Sequence, residues 1–251
     1  MNDGALLSKW DKLMRVVEVP YAAAVANEKD RYIETCSAEF EHNRSLTETS
    51  FHEHVAFMMR IAEKYQGIAI RLAIQETFSA KSARVMLTKD DWETLWLYLV
   101  RQWVNTYGAS WAKIASMTTR RDLQSIIDVA LSHTEEFNPV QVATKLLKAK
   151  DLSAPRAEVI ARTEVHGAMM FAGLEGANKI SRDQGLDMRK RWVPVEDERT
   201  RISHASMASV DPIDLQSDFD VGGEAMARPG DPRGSAGNVI NCRCVLAYEV
   251  K

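Results

Sequence analysis

The spacing of the apolar residues changes after Gly185, and this change limits the fold more than any other feature of the sequence. Before Gly185, apolar side chains recur at intervals of three and four, which is the period of an amphipathic helix. Beyond it, the chain becomes rich in Gly, Pro, Asp and Ser, which favour turns and short strands. The pattern predicts an α+β protein, with a mostly helical N-terminal part followed by a small α+β C-terminal module with short strands. We place a helical domain at residues 1–150 and the second domain at residues 151–251.

Several residues of the helical part are typical helix boundaries. The repeat from Ala5 to about Glu18 is followed by Pro20, whose ring we expect to kink or end the helix. Another long helix is predicted from Phe51 to about Phe78. Asn138-Pro139 has the form of a helix cap followed by proline at the first helical position. Ser153 and Pro155 make a similar start for a helix that should reach about Ser181.

Two groups of side chains in the helical part are candidates for a functional role. Trp92, Trp96 and Trp103 lie on one helical face, which predicts a core stripe; a docking surface for a partner helix is the alternative. His52 and His54 project to different faces of their helix. We therefore interpret these histidines as boundary or surface residues rather than metal ligands.

The C-terminal module offers two candidate strands. Residues 191–195 are β-favouring, and Pro194 indicates an edge strand, because proline cannot donate to a ladder. Residues 244–250 are apolar and also β-favouring. Pairing of the segment near Trp192 with this terminal strand would close the module.

Charge and cysteine content exclude several classes of protein. The net charge of the 251 residues is −3, so no global field attracts the chain to DNA. The best basic patch, Arg189-Lys190-Arg191, is soon followed by three acidic residues, and residues 189–251 carry nine basic and ten acidic side chains. Three cysteines make a poor disulfide framework and favour a reducing compartment. No apolar run is long enough to cross a bilayer, so we expect no membrane partner.

The second half of the chain contains a series of short motifs that would not be expected by chance from its composition. It comprises Ala161–Glu164, Trp192, Asp197–Arg201, His204, Phe219, Val221–Glu224, Arg228–Pro232 and Asn238–Cys244. In this order and at these spacings, the series resembles the Mu F-like head morphogenesis domain over about residues 155–250. The Asp-x-Arg-Thr-Arg-x-x-His element combined with the Asn-Cys-Arg-Cys end is specific, whereas either element alone would be weak.

The resemblance implies a minor head (capsid) protein of a tailed phage or prophage, with a structural rather than catalytic role in head morphogenesis near the portal. The implied partners are the portal protein, scaffold or major capsid protein. The implied location is the interior of the phage head, after assembly in the host cytoplasm. Two alternatives stay open: a packaging factor that contacts DNA transiently, and an enzyme resembling an ADP-ribosyltransferase or a metal-dependent hydrolase. No catalytic residue is assigned.

The polar residues of this series predict a network that fixes a loop-rich module. Asp197 can accept paired hydrogen bonds from an arginine, and Arg162 or Glu164 could pin this loop to the long helix. The predicted structural network consists of Arg162, Glu164, Trp192, Asp197, Arg199, Arg201, His204, Asn241 and Arg243.

A second interpretation of the same region is a zinc site formed by His204, Cys242, Cys244 and Asp197. On a straight strand, residues two apart stand roughly 6.5–7 Å from each other, which is too far for two sulfurs on one zinc ion. The corner at residues 241–243 would therefore have to bend. We favour buried apolar cysteines and no cofactor, with zinc as the alternative.

Overall fold

The computed structural model describes residues 2–79, 89–132 and 139–251. Its α-helices are α1 Asp3–Asn43, α2 Glu48–Ser79, α3 Lys89–Trp103, α4 Ala109–Ser132, α5 Pro139–Lys148, α6 Ser153–Gln184, α7 Ile202–Ala205 and α8 Ala236–Val239. A π-helical turn, Val104–Gly108, joins α3 to α4. The strands are β1 Met188–Val193, β2 Ile213–Asp214, β3 Phe219–Asp220, β4 Ala225–Met226 and β5 Val245–Val250. The predicted α+β class is confirmed. No helix among the described residues is both long and apolar enough to cross a membrane.

The elements pack into two compact units, each assembled from separate stretches of the chain. The first unit contains Met1–Glu18, Tyr65–Thr106 and Arg162–Lys251, and the second contains Val19–Lys64 and Tyr107–Ala161. Three of the four borders between the units fall inside the long helices α1, α2 and α6, and the fourth falls in the π-helical turn. The division at residue 150 that the sequence suggested stays a prediction.

Helix α1 does not end at Pro20, contrary to the expected interruption. A proline inside a helix removes one backbone donor and crowds the carbonyl of the residue four positions earlier, here Val16. The side chains of Val16 and Val19 are 66% and 69% exposed, so this face of the helix meets solvent. Water can therefore satisfy the freed carbonyl, and the helix continues. At the next predicted boundary, α5 begins at Pro139 as expected, while Asn138 lies outside the described residues.

The second unit has an apolar core and one buried ionisable pair. The core contains Tyr32, Ile33, Cys36, Phe40, Leu123, Ile127, Val142 and Leu146. His54 is fully buried, its Nδ1 lies 2.8 Å from Glu28 Oε1, and its ring stacks on Tyr32 at 4.2 Å. The prediction that His54 is a boundary or surface residue is therefore wrong, although His52 is exposed. The acidic partner offsets the cost of burying the imidazole.

In the first unit, the tryptophan stripe divides into a buried and a half-buried part. Trp103 is 1% exposed and packs on Phe171 with ring centroids 5.4 Å apart. Trp92 and Trp96 are half-buried and line a cavity of about 570 Å³ that also touches Phe78. The core interpretation thus describes Trp103 better than its two neighbours.

The C-terminal sheet has the order β2-β1-β5, and both pairings are antiparallel. Trp192 pairs with Leu246 and Val193 with Val245, which confirms the predicted pairing of this segment with the terminal strand. Strand β1 is central in the sheet, but β2 pairs only with Arg189 and Lys190, so residues 191–193 pair with β5 alone, in keeping with the predicted edge character of this segment. Pro194 lies immediately after the last ladder pair, where no hydrogen-bond donor is required.

Gly230 brings a loop of the C-terminal module against α6. Its φ is +67°, and a Cβ at this position would lie 2.6 Å from Nδ1 of His166. Gly185, which follows α6, also has a positive φ of +63°, but a Cβ there would meet nothing within 4 Å. The two glycines therefore share a left-handed backbone and differ in their steric surroundings.

We expect Gly230→Ala to destabilise the protein more than Gly185→Ala. The left-handed backbone costs an alanine about 1–2 kcal/mol at either position. Overpacking against His166 adds a further ~1–3 kcal/mol at Gly230 alone. Urea unfolding of both variants measures the difference, and equal losses at the two positions would contradict the close packing of this loop on α6.

Candidate functional site

The cysteine-bearing segment is bent at Asn241. Helix α8 leads into a turn in which the Cys242 N–H donates to the Val239 carbonyl at 3.2 Å. Asn241 has a φ of +56°, a left-handed conformation that asparagine adopts more readily than most residues. The Asn241 N–H donates to Oγ1 of Thr163 in α6 at 3.2 Å. The bend that a shared cysteine site required is therefore present, and it is anchored to the long helix.

This bend brings two thiols and one imidazole together. Nδ1 of His204 lies 3.6 Å from Sγ of Cys242 and 3.4 Å from Sγ of Cys244. The three potential ligand atoms all lie within 4.8 Å of one another, and each residue is at most 2% exposed. Within the described ranges, this is the one group of three or more His, Cys, Asp or Glu side chains that could hold a metal ion. We refer to it as the Cys-Cys-His group.

Aromatic and helical side chains enclose the Cys-Cys-His group. The Trp192 ring meets His204 edge-on with centroids 5.4 Å apart, and Phe219 packs on the same indole at 5.5 Å. From α6, Nε2 of His166 contacts the carbonyl oxygen of Cys244 at 2.7 Å. Because a carbonyl only accepts, this nitrogen carries the proton and donates. Burial lowers the pKa of His166, which keeps the ring neutral.

The two thiols have different acidities. Burial raises the pKa of Cys242 well above its ordinary value. A hydrogen bond from Cys242 lowers the pKa of Cys244 despite the opposing effect of burial, and His204 lowers it further. A thiolate accepts where a thiol donates, so the pair is best described as one thiolate stabilised by its neighbours. Thiolate is also the form in which cysteine binds a metal.

Asp197, the fourth predicted ligand, belongs to a separate contact. Its carboxylate accepts from Nη1 and Nη2 of Arg243 at 2.6 and 2.7 Å, which is a bidentate ion pair. It also accepts from the Arg199 N–H at 3.0 Å. The Arg243 guanidinium holds the pKa of Asp197 well below its usual range. The structure thus assembles three of the four proposed ligands, and Asp197 instead ties the turn after β1 to the cysteine segment.

The other predicted network residues divide between two places. Arg201 donates to the Ile240 carbonyl, next to Asn241, and so holds the bent segment from the side of α7. Arg162 and Glu164 point elsewhere: Nε of Arg162 lies 3.8 Å from Oε2 of Glu18, and Glu164 accepts from Gln66 at 2.9 Å. Thr163, which stands between them in sequence, binds the cysteine segment at Asn241 rather than the Asp197 loop.

Lys190, the middle residue of the basic segment at residues 189–191, does not contribute to a surface patch. It is fully buried, and its Nζ donates to the Ala227 carbonyl at 2.8 Å. Burial lowers the pKa of Lys190 to about 8. Its neighbours on β1 are engaged at the surface, since Arg191 pairs with Asp3 and Arg189 lies 3.7 Å from Asp214. The alternation of side chains along a strand was the signal, because Lys190 shares the inward face with Trp192.

Asp231 is a buried residue whose role the sequence did not reveal. Its carboxylate accepts from the Ala227 N–H at 2.8 Å, from the Arg233 N–H at 3.1 Å and from the Arg233 guanidinium at 2.7 Å. Burial alone would raise the pKa of Asp231, but Arg233 and the charge of Arg228 outweigh it and lower the pKa. Arg233 also binds Asp218 at 2.8 Å, nearer the surface.

Together these contacts define a small α+β module whose loops are fixed by polar side chains around a Cys-Cys-His group. Residues 134–247 match the sequence profile of the family described as Phage Mu protein F like protein, which confirms the predicted resemblance. The matched segment begins before α5 and ends within β5, so it contains the whole Cys-Cys-His group.

Among characterised proteins, the chain is similar to the minor head protein GP7 of Bacillus phage SPP1. The two are 30% identical over 111 residues, which cover 44% of this chain and 35% of the relative. The chain therefore spans about a third of the length of that relative. No solved structure matches the chain.

We expect Asp231→Asn to destabilise the protein far more than Asp218→Asn, although both remove a carboxylate partner of Arg233. Asp231 is completely buried, and loss of its charge removes the carboxylate that faces the buried Arg228 guanidinium, at a cost of about 3–5 kcal/mol. The Asp218 side chain is 34% exposed, so its replacement should cost at most ~1 kcal/mol. The urea midpoints of the two variants measure the difference in stability. Similar midpoints would contradict the greater importance of Asp231.

We also expect the Asp197–Arg243 pair to contribute to acid sensitivity. A carboxyl whose pKa is lowered on folding stabilises the protein above its unfolded pKa, near 3.9, and this stabilisation is lost as the pH falls further. Asp197→Asn and Arg243→Gln should each reduce the dependence of thermal stability on pH below about pH 4. High salt should weaken the effect in the native protein, because the pair is partly exposed. An unchanged acid profile in both variants would refute the assignment.

Proposed function

We propose that this protein is a minor head protein that is built into the phage head during morphogenesis and has a structural role. The observation that carries the proposal is the Mu F-like match over residues 134–247, together with the similarity to a protein named as a minor head protein. The matched segment contains the Cys-Cys-His group and the ion pairs around it. It is therefore the part of the chain that the family relationship concerns.

The contacts of the module support a structural rather than an enzymatic role. Arg201, Asn241 and Arg243 are each engaged by another part of the same module, through Ile240, Thr163 and Asp197 respectively. Their hydrogen bonds fix the bent segment. Side chains committed in this way stabilise a surface on which other head components could dock.

The finer part of the proposal concerns location and partners. We place the protein in the head interior, near the portal, with the portal protein, scaffold or major capsid protein as its contacts and with assembly in the host cytoplasm. Support comes from the family relationship alone. DNA is a weaker candidate partner, because Lys190 is buried and Arg189 and Arg191 lie beside acidic side chains.

The test is to express the full chain with an epitope tag from the head genes of its own phage, and to purify procapsids and mature heads. We expect the chain to sediment with heads in fewer copies than the coat protein. Localised density in a cryo-EM reconstruction without imposed symmetry should lie beside the portal.

A matched pair of variants links this result to the module. Arg201→Met removes the contact with Ile240 and should reduce incorporation, whereas Arg199→Met alters a side chain that is 77% exposed and should not. Normal heads that lack the chain would refute the head-protein proposal. Density on the coat shell away from the portal would refute only the location.

A further inference from the structure

We propose that His204, Cys242 and Cys244 bind one zinc ion, with a water molecule as the fourth ligand. The proposal concerns the Cys-Cys-His group itself and is independent of where the protein acts in the phage head. It extends the zinc hypothesis to a defined set of three ligand atoms, Nδ1 and two Sγ, and it leaves Asp197 out because Arg243 already binds that carboxylate.

The two nitrogen–sulfur distances in the group match those of a tetrahedral zinc site. Zinc binds sulfur at about 2.3 Å and imidazole nitrogen at about 2.0–2.1 Å, so a tetrahedral arrangement places nitrogen and sulfur about 3.5 Å apart. The two observed distances from His204 Nδ1 are 3.4 and 3.6 Å. An ion can thus enter between the three atoms with little movement of the side chains.

Hydrogen bonding within the group does not account for this arrangement. Nδ1 of a neutral imidazole has either one proton or one lone pair, so it can make one well-directed hydrogen bond. Here both sulfurs converge on that single nitrogen, at 3.4 and 3.6 Å, so one of the two sulfurs is left without a well-directed bond to it. A cation at the centre would satisfy all three atoms at once.

The orientation of the His204 ring supports the same conclusion. Its other nitrogen, Nε2, is buried and has no hydrogen-bond partner among the described residues. The polar contacts of the ring are therefore with the two sulfurs. Nδ1 is therefore the ring atom that faces the proposed ion.

One member of the Cys-Cys-His group, Cys242, lines a cavity, which we take as the source of the proposed water ligand. The cavity has a volume of about 330 Å³, and its lining includes Cys242, Asp11, Glu18, Arg162 and Arg243. Among the described residues, no fourth His, Cys, Asp or Glu side chain belongs to the Cys-Cys-His group. We therefore assign the fourth position to water. Three protein ligands with one water is an established form of zinc coordination.

Zinc at this position would join two ends of a long loop. The chain between His204 and Cys242 contains strands of only two residues and the single-turn helix α8. Such a segment has few regular backbone hydrogen bonds, and closing it costs conformational entropy. Metal binding to the folded state alone would stabilise the closed loop.

The first experiment measures metal in the full chain, purified without a histidine tag after growth in zinc-supplemented medium. Elemental analysis should find about one zinc per chain. Zinc-edge X-ray absorption should show two sulfur neighbours at about 2.3 Å with nitrogen or oxygen in the remaining positions. A strong chelator should lower the melting temperature, and added zinc should restore it.

Variants provide the control. Cys242→Ser, Cys244→Ser and His204→Asn should each lose the metal, whereas Cys36→Ala should keep it, because Cys36 lies in the apolar core of the other unit. The spectroscopy on the unaltered protein tests the proposal even if a variant fails to fold. Native protein without stoichiometric zinc after zinc supplementation, absorption data without sulfur neighbours, or folded ligand variants that retain zinc would each overturn it.

Discussion

The antiparallel pairing of β1 with β5 is the contact on which the C-terminal module depends. The ladder runs from Met188 opposite Val250 to Val193 opposite Val245. This register turns Trp192 inward and delivers Cys244 one residue before the ladder begins, beside His204. A slip of one residue would reverse the faces of β5 and separate the two cysteines from the imidazole. Formation of the Cys-Cys-His group therefore requires this register of the sheet.

The sequence predicted this pairing, whereas the meeting of the histidine with the cysteines belonged only to the alternative zinc interpretation. Apolar, β-favouring residues at the end of the chain identified β5, and the distance along a straight strand showed that residues 241–243 had to bend for the sulfurs to meet. Asparagine at position 241 permits the left-handed backbone that makes the bend. What sequence could not show is that Thr163, rather than Arg162 or Glu164, anchors it.

The wrong predictions share one physical cause: they judged a residue by its local sequence when a distant partner decides its state. His54 is buried because Glu28, in another helix, compensates it. Lys190 is buried because the Ala227 carbonyl accepts a hydrogen bond from its ammonium group. Pro20 is tolerated because the outer face of α1 meets water there, which no repeat of apolar residues reveals. Residue propensity and apolar periodicity predict helices and strands well. The burial and partners of a polar side chain depend instead on residues that are distant in sequence.

Ala227 shows how this module stabilises a segment with little regular structure. Its N–H donates to the Asp231 carboxylate at 2.8 Å, and its carbonyl accepts from the Lys190 ammonium at 2.8 Å. One residue is thus held by two buried charges of opposite sign, which satisfy both of its backbone groups as a strand partner would in a sheet. Breaking either contact removes a hydrogen bond from a buried charged side chain and leaves a backbone group of Ala227 without its partner, so the position of the loop is sharply defined. Polar ties of this kind fix the shape of a module too small to rely on an apolar core alone.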